Sequence, residues 1–415
     1  MITLANIILW IIYFISLYFV VFWLLVFFEN EDIVGPKKKS TKFPLVSVIL
    51  PAHNEEKTII PSVKSVLSLN YPKDKLEIII IDDGSTDNTK KMVLEFIKNY
   101  PKIKFISHEN IGKGASLNKA LKICKGEFFI CLDADSFVHK DALLHLIPNF
   151  NDKSVACALP LMKASKPKNI LQKIQFSEYL VNIFYKKLMG FLHCIPVAPG
   201  PFSIYRKSVL LKLGGYDENN LTEDLEMTLK LQKNHYKIVQ DMHAQVFTNT
   251  PANIKAFFRQ RKRWYKGGLF NGIKYRRLMF NPKYGDFGII QLPMLILSGI
   301  IGISIIFTTL YTGLKPHVQN LLNLRYVNFD FFTFLKDLSF SFTFLDLNFN
   351  TFFIFICMLF ISIFVLYLSY TFSNEKVFNQ GKIHIALFLF FYFLMLGVSW
   401  ILLLPEVIFH KKHVW

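Results

Sequence analysis

Two carboxylates stand one residue apart in Asp133-Ala-Asp135, directly after the apolar run Glu127–Leu132. At a strand end both can reach one divalent cation. Mg2+ or Mn2+ suits such oxygen ligands, above all when the ion is shared with a diphosphate. A solvated acidic turn is the plainer alternative. A second carboxylate cluster, Thr222-Glu223-Asp224, opens a predicted helix. An acid there complements the helix dipole, or serves as general base if it lies in a cleft beside a metal. A third motif is Gln260-Arg-Lys-Arg263-Trp264. Trp264 offers a face for a sugar ring and Arg263 a fork for phosphate oxygens. Next to a membrane the same cluster also works as an interfacial anchor.

Three further motifs fall at strand ends or helix starts. Pro51-Ala-His-Asn-Glu55-Glu follows the first apolar strand. Asp82-Asp83-Gly-Ser-Thr-Asp follows the second, and Asp83 can accept hydrogen bonds from a base or ribose. Ser85 and Asp87 read instead as turn and helix cap. Asn110-Ile-Gly-Lys113-Gly-Ala precedes a helix, where glycines let backbone N–H groups approach a phosphate and Lys113 can reach a diphosphate.

The elements that carry these motifs alternate. Strands are predicted at Leu45–Leu50, Leu76–Ile81, Lys102–Ser107 and Glu127–Leu132, with helices at 55–69, 87–99 and 113–124 between them. That order predicts an α/β fold with a mostly parallel sheet covered on both faces, and ligands outside the carboxyl ends of the strands. The stretch 151–266 is less regular. It holds helices at 168–190, after Thr222 and at 253–266, and a short strand at Phe202–Tyr205. No GxGxxG follows the first strand, so a dehydrogenase-type dinucleotide fold is poorly supported.

Both ends are apolar. Residues 4–28 are long enough to cross a bilayer, which takes about 20 residues. No basic leader or cleavage site accompanies them. Lys37, Lys38, Lys39 and Lys42 follow and predict a cytoplasmic middle region. Further spans are expected at 288–311, 351–371 and 384–405, and 268–284 suits an interfacial helix. Residues 328–347 are aromatic but carry Asp330, Lys336, Asp337 and Asp346, which reads as interfacial or re-entrant. The net charge of +18 is accounted for by membrane flanks and diphosphate binding; nucleic acid is not an expected partner. The five cysteines show no CxxC spacing and read as buried free thiols.

Taken together, PAHNEE, DDGSTDNT, DAD, TED and QRKRW resemble the family-2 glycosyltransferases of GT-A fold, in particular the processive membrane synthases of cellulose, hyaluronan and poly-N-acetylglucosamine type. The resemblance covers roughly 44–285. The 35 residues between Asp224 and Gln260 match the separation of that subgroup. It implies a GT-A (Rossmann-like, mostly parallel sheet) cytoplasmic domain flanked by transmembrane α-helices. The implied division is a membrane helix in 1–30, a catalytic domain in 44–266, an interfacial helix in 267–285 and a membrane region in 286–415.

The resemblance also implies roles. Pro51, Glu55, Asp83, Lys113 and Asp133 bind the donor, with the uridine falling to Glu55 and Asp83. Asp133 and Asp135 hold the cation, and Asp224 is the base. Glu223, Gln260, Arg263 and Trp264 serve the diphosphate and acceptor. Within Ala198–Arg206, Pro201 stands where relatives often carry a small residue. The implied enzyme is a multi-pass plasma-membrane protein, in contact with membrane lipids. It moves a sugar, with inversion, from a nucleotide-diphosphate sugar of the UDP type to a polysaccharide or other glycan. The alternative is a non-processive transferase acting on a lipid or lipid-linked acceptor.

Overall fold

The computed structural model describes residues 4–30, 32–35, 39–323 and 349–408. The expected interfacial segment 328–347 and the basic C-terminus lie outside the described residues.

The first half of the middle region alternates as its sequence requires. Strands β1 (Val46–Ala52), β2 (Leu76–Asp83), β3 (Lys104–His108) and β4 (Phe128–Cys131) are separated by helices α2 (Ile59–Leu67), α3 (Thr89–Ile97) and α4 (Lys113–Ile123). These four strands pair in parallel, in the order β3-β2-β1-β4. Side chains alternate between two cores. Val48, Leu50, Ile78 and Ile80 pack under α2 and α3, whereas Ile49, Ile79 and Ile81 pack under α4. Both faces are therefore dry, which explains the unbroken apolar runs in these strands.

The second half is mixed, as the irregular sequence between 151 and 266 foreshadows. Strand β5 (Ser136–Val138) and the short helix α5 (Ala142–Leu146) come first. They are followed by β6 (Val155–Ala164), α6 (Ile170–Phe191), β7 (Ser203–Arg206), α7 (Lys207–Lys212), α8 (Glu223–Lys233), β8 (Lys237–Thr248) and α9 (Ile254–Lys274). The sheet continues β4-β7-β6-β8-β5. Strand β7 runs antiparallel to both β4 and β6, while β6 and β8 are parallel. The eight-stranded sheet is thus parallel on the side of the first motifs and mixed beyond β4. Strand β6 carries Pro160 at the second of its two register shifts against β8, between Leu159 and Leu161, and Pro is tolerated in a sheet at such irregularities.

Four described helices are long and apolar enough to cross a membrane: Trp10–Glu29, Phe287–Ile305, Phe352–Phe372 and Ile383–Val407. They belong to α1 (Leu4–Glu29), to α10 (Leu292–Asn323) with its π-helical lead-in Phe287–Gln291, to α11 (Phe349–Phe372) and to α12 (Ile383–Ile408). This is a membrane protein. Helix α6 is the seam. It packs Leu161, Met242, Leu366 and Tyr370 around Phe176, Tyr179 and Leu180, joining the sheet to α11. At its other end Phe184 and Leu188 meet Trp23, Phe287 and Leu292.

One expected boundary is corrected. Helix α9 passes without a break through Gly267 to Lys274 and is followed by separate 3-10 turns at Arg276–Leu278 and Pro282–Tyr284. A single interfacial helix over 268–284 is not formed, because 268–274 belong to α9 and the chain then turns extended at Met279 and left-handed at Phe280.

Candidate active site

The sheet delivers three motifs to one edge. Strand β1 ends at Ala52 and hands over to Glu55. Strand β2 ends at Asp83, and β4 ends two residues before Asp133. Pro51 is buried inside β1 opposite Ile81. It shapes the strand end and its ring faces the interior.

Asp83 has a defined task. Its carboxylate accepts the backbone N–H groups of Ile111 and Gly112 at 2.9 and 3.0 Å, with His108 Nδ1 at 3.4 Å. It thereby fixes the glycine-rich loop that starts α4. Asn54, in left-handed conformation, accepts from the Thr86 N–H at 2.8 Å. Asp87 accepts from Thr89 N–H, and Ser85 Oγ from Asn54 N–H. The Asp87 contact is a local turn next to the Asn88 N-cap of α3, whereas Ser85 reaches across to the loop after β1 instead of serving its own turn.

Lys113, at the first turn of α4, is the hub. Its ammonium lies 2.7 Å from Asp133 Oδ1 and 2.7 Å from Glu223 Oε1. Burial works against that charge, but the two carboxylates outweigh it and hold the lysine well above its ordinary pKa. Gly200 comes close to this pair: a Cβ there would stand 3.0 Å from both Asp133 Oδ2 and Lys113 Nζ. The loop before β7 therefore lays bare backbone against the carboxylate. Beside it is a cleft of about 260 Å³, lined by Asn110, Gly112, Lys113, Glu218, Asn220 and Glu223.

The acidic groups are short of positive charge. Burial, then Asp133 and Glu55, push Asp135 up to about 7. Burial raises Glu55 as well, with Asp133 and Asp87 adding to it and Thr58 opposing. Burial and the neighbouring Glu223 raise Asp224 to about 6, against the pull of Lys113 and Arg263. Such tuned carboxylates are what proton-transfer sites use. Lys186 on α6 belongs to the same field: burial lowers it to about 8, with Asp224 opposing.

The oxygen donors suit a hard divalent cation, and an ammonium already stands where positive charge is wanted. Among the described residues no three His, Cys, Asp or Glu side chains converge as a ready metal cage. A cation at Asp133 and Asp135 would take its remaining ligands from phosphate oxygens and water, as Mg2+-type sites commonly do.

Helix α9 packs against the start of α8. Arg263 pulls the Asp224 carboxyl down, and α9 touches Thr222 through Gly267 and Asn271, so TED and QRKRW lie on adjoining helices. Gln260 keeps a buried Oε1 without a hydrogen-bond partner. One face of Trp264 is covered by Arg261, whose guanidinium lies 4.2 Å from the ring centroid. Arg261 is only 2% exposed and pairs with Glu178 of α6 at 2.6 Å. Lys262 pairs with Glu406, and Tyr265 stacks on Trp400 at 4.5 Å, both in α12. Arg261, Glu178, Gly200 and Lys186 were not singled out from sequence. A glycine between two prolines was the one local signal for Gly200.

The sequence profile of glycosyl transferase family 2 matches residues 47–214. A poly-beta-1,6-N-acetyl-D-glucosamine synthase of Staphylococcus epidermidis is 30% identical over 336 residues, 77% of this chain and 78% of that protein. The chain belongs to glycosyl transferase family 2. A beta-monoglucosyldiacylglycerol synthase of Nostoc sp. is 31% identical over 254 residues, 61% of this chain and 54% of its own length. A mannosyltransferase of Pyrobaculum calidifontis, solved with GDP-Man and Mn2+, superposes with a TM-score of 0.60 at 17% identity, over 94% of this chain and 95% of the other. That superposition establishes the fold, GT-A with flanking helices. The family-2 profile ends before Thr222 and Gln260, so the α8 and α9 wall of this glycosyltransferase is described by its own geometry.

Proposed function

We propose that this family-2 enzyme transfers a sugar, with inversion, from a nucleotide-diphosphate sugar of the UDP type to a growing polysaccharide. The observation that carries the proposal is the ion-paired line Asp133–Lys113–Glu223, with Asp224 next in the chain, which joins the sheet edge to α8. Glu55 and the loop fixed by Asp83 receive the nucleoside. Asp133 and Asp135 hold Mg2+ or Mn2+, which when bound neutralises charge on the leaving diphosphate. Lys113 turns to the same diphosphate. Asp224 takes the proton from the acceptor hydroxyl as that oxygen attacks the anomeric carbon. The bond to the diphosphate breaks on the opposite side, so configuration inverts in one step and no nucleophilic side chain is used. Trp264 stacks on the acceptor sugar, while Gln260, Arg263 and Glu223 bind diphosphate and acceptor.

The likeness to a poly-N-acetylglucosamine synthase supports the polysaccharide acceptor. The likeness to a glycolipid synthase supports a second reading, one sugar placed on a lipid. Product length on a gel separates them, a ladder meaning repeated addition. We assign residues 44–266, extended along α9 to Lys274, to the catalytic unit, and 1–30 and 286–415 to the plasma membrane. The lysines after α1 favour a cytoplasmic catalytic unit.

A screen of UDP- and GDP-sugars with the lipid-embedded protein, scored by released nucleotide, names the donor. Asp224→Asn is expected to lower transfer at least about 1000-fold, at the scale of general-base loss, with donor affinity retained. Turnover within tenfold of the parent would remove Asp224 from the base role.

A further inference from the structure

Helix α9 continues the Gln-x-x-Arg-Trp pattern. Gln260, Arg263, Trp264, Gly267 and Asn271 recur at spacings of three and four, which places them on one face of the helix. The first three carry the diphosphate and acceptor roles proposed above. The last two meet the start of α8. A Cβ on Gly267 would lie 2.3 Å from Thr222 Oγ1 and 2.5 Å from its Cγ2. The α9 backbone therefore abuts the residue immediately before Glu223 and Asp224. One turn on, Asn271 is 1% exposed. Its Nδ2 donates to Thr222 Oγ1 at 3.0 Å and to Asn220 Oδ1 at 3.1 Å. Its Oδ1 accepts from Asn220 Nδ2 at 2.8 Å.

Thr222 occupies the N-cap position of α8, yet its hydroxyl makes no capping hydrogen bond. A threonine there ordinarily satisfies its own helix. Here its oxygen is turned to Asn271 instead. Local stabilisation of α8 is forgone for a contact that fixes α8 against α9. The next turn repeats the clamp: Lys274 reaches Asp217 at 2.6 Å and the fully buried Glu226 at 2.9 Å, and Tyr275 donates to Glu226 at 2.6 Å.

We infer that Gly267 and Asn271 are positioning residues that set the register between the base and the acceptor platform. They act through Thr222, which holds the start of α8, and with it Asp224, against the helix that carries Arg263 and Trp264. Acceptor hydroxyl, base and anomeric carbon must align within a fraction of an ångström, and misplacement by about 1 Å costs about 100-fold in rate. One rigid helix carries both the platform and the docking point. The distance from Trp264 to Asn271 is thus a ruler built into α9. The inference rests on Asp224 as the base.

The test is a double-mutant cycle on the lipid-embedded enzyme with Asn271→Leu and Thr222→Val. Each single variant is expected to lower transfer kcat about 30- to 100-fold, while nucleotide-sugar affinity stays within twofold. Release of donor sugar to water should rise relative to transfer, because water needs no register. The double variant should be no slower than either single one, since both break the same contact. Thr222→Ser, which keeps the hydroxyl, should recover most of the rate. Losses that multiply, donor affinity that falls in step with rate, or single variants at parental speed would each overturn the inference. If Asn271→Leu does not fold, the Val and Ser variants at 222 carry the same comparison alone, read by rate against donor affinity. Asp224→Asn distinguishes the two levels. An active Asp224→Asn enzyme sinks the base reading, whereas an inactive one beside a normal Asn271→Leu enzyme sinks only the ruler.

Discussion

At the scale of the residue, Lys113 and Asp224 are both governed by charges they do not control alone. Lys113 bridges Asp133 and Glu223. A hydrogen bond to a charged group is worth about 1.5–3 kcal/mol net. Lys113→Met is therefore expected to tighten Mn2+ about tenfold without donor, while weakening nucleotide-sugar binding. Titration of free Mn2+ by electron paramagnetic resonance checks the first half, and unchanged Mn2+ affinity would deny that the ammonium competes. Burial and Glu223 hold Asp224 near 6, against Lys113 and Arg263. A base must be ionised to work, so transfer should fall about tenfold per pH unit below that point and level off above it. Removing Arg263's charge takes away a downward pull, so Arg263→Gln should move the limb to higher pH. A pH–rate profile that breaks near 4 in both enzymes would show that burial does not govern the base.

That Asp133 and Asp135 follow a strand end and that Asp224 opens a helix was legible in the sequence. Asp83 was legible only as an acceptor. That it accepts from Ile111 and Gly112, and so fixes the Lys113 loop, depends on β2 and the α4 start lying side by side. Lys186 was invisible, because nothing in a long apolar helix says which turn passes near Asp224.

At the scale of the element, α9 divides its motif among three neighbours. Arg263 bears on Asp224 of α8, Arg261 enters α6, and Lys262 and Tyr265 meet α12. Arg261 is buried, and removing one partner of a buried ion pair costs about 3–5 kcal/mol. Arg261→Met should lower the thermal midpoint and loosen Trp264, so that acceptor KM rises before donor affinity changes. Thermal unfolding in nanodiscs with parallel kinetics checks it, and an unshifted midpoint would count Arg261 as surface charge. Sequence placed helix 253–266 well but ended it eight residues early, since Gly267 and Gly268 look like a stop. Gly267 is there for close approach to Thr222. Strands β6 and β8 were missed for opposite reasons. Strand β6 is buried throughout and contains Pro160, so it shows no alternation. Strand β8 alternates strictly, but its buried Gln240 and Thr248 disguise the pattern.

At the scale of the whole molecule, catalytic unit and membrane helices share one core. Helix α6 is buried on both sides, and Lys163 of β6, only 4% exposed, reaches Ser373 O at 2.7 Å and Glu375 at 2.8 Å between α11 and α12. Cutting the chain to 44–285 would bare Phe176, Tyr179, Leu180 and Phe184 at once, a patch beyond what soluble monomers expose. That fragment is expected to aggregate without detergent. A monodisperse monomer on gel filtration would contradict a shared core.

The sequence by itself determined the parallel half of the sheet, the four apolar helices and the kinds of group at the site. Those follow from local periodicity and from residue chemistry. The tertiary structure alone decided that Lys113 bridges Asp133 and Glu223, that Gly200 lies against them, and that α9 sets its register on Thr222. Each of these is a contact between segments far apart in the chain, held by close packing and by hydrogen bonds that local sequence does not encode.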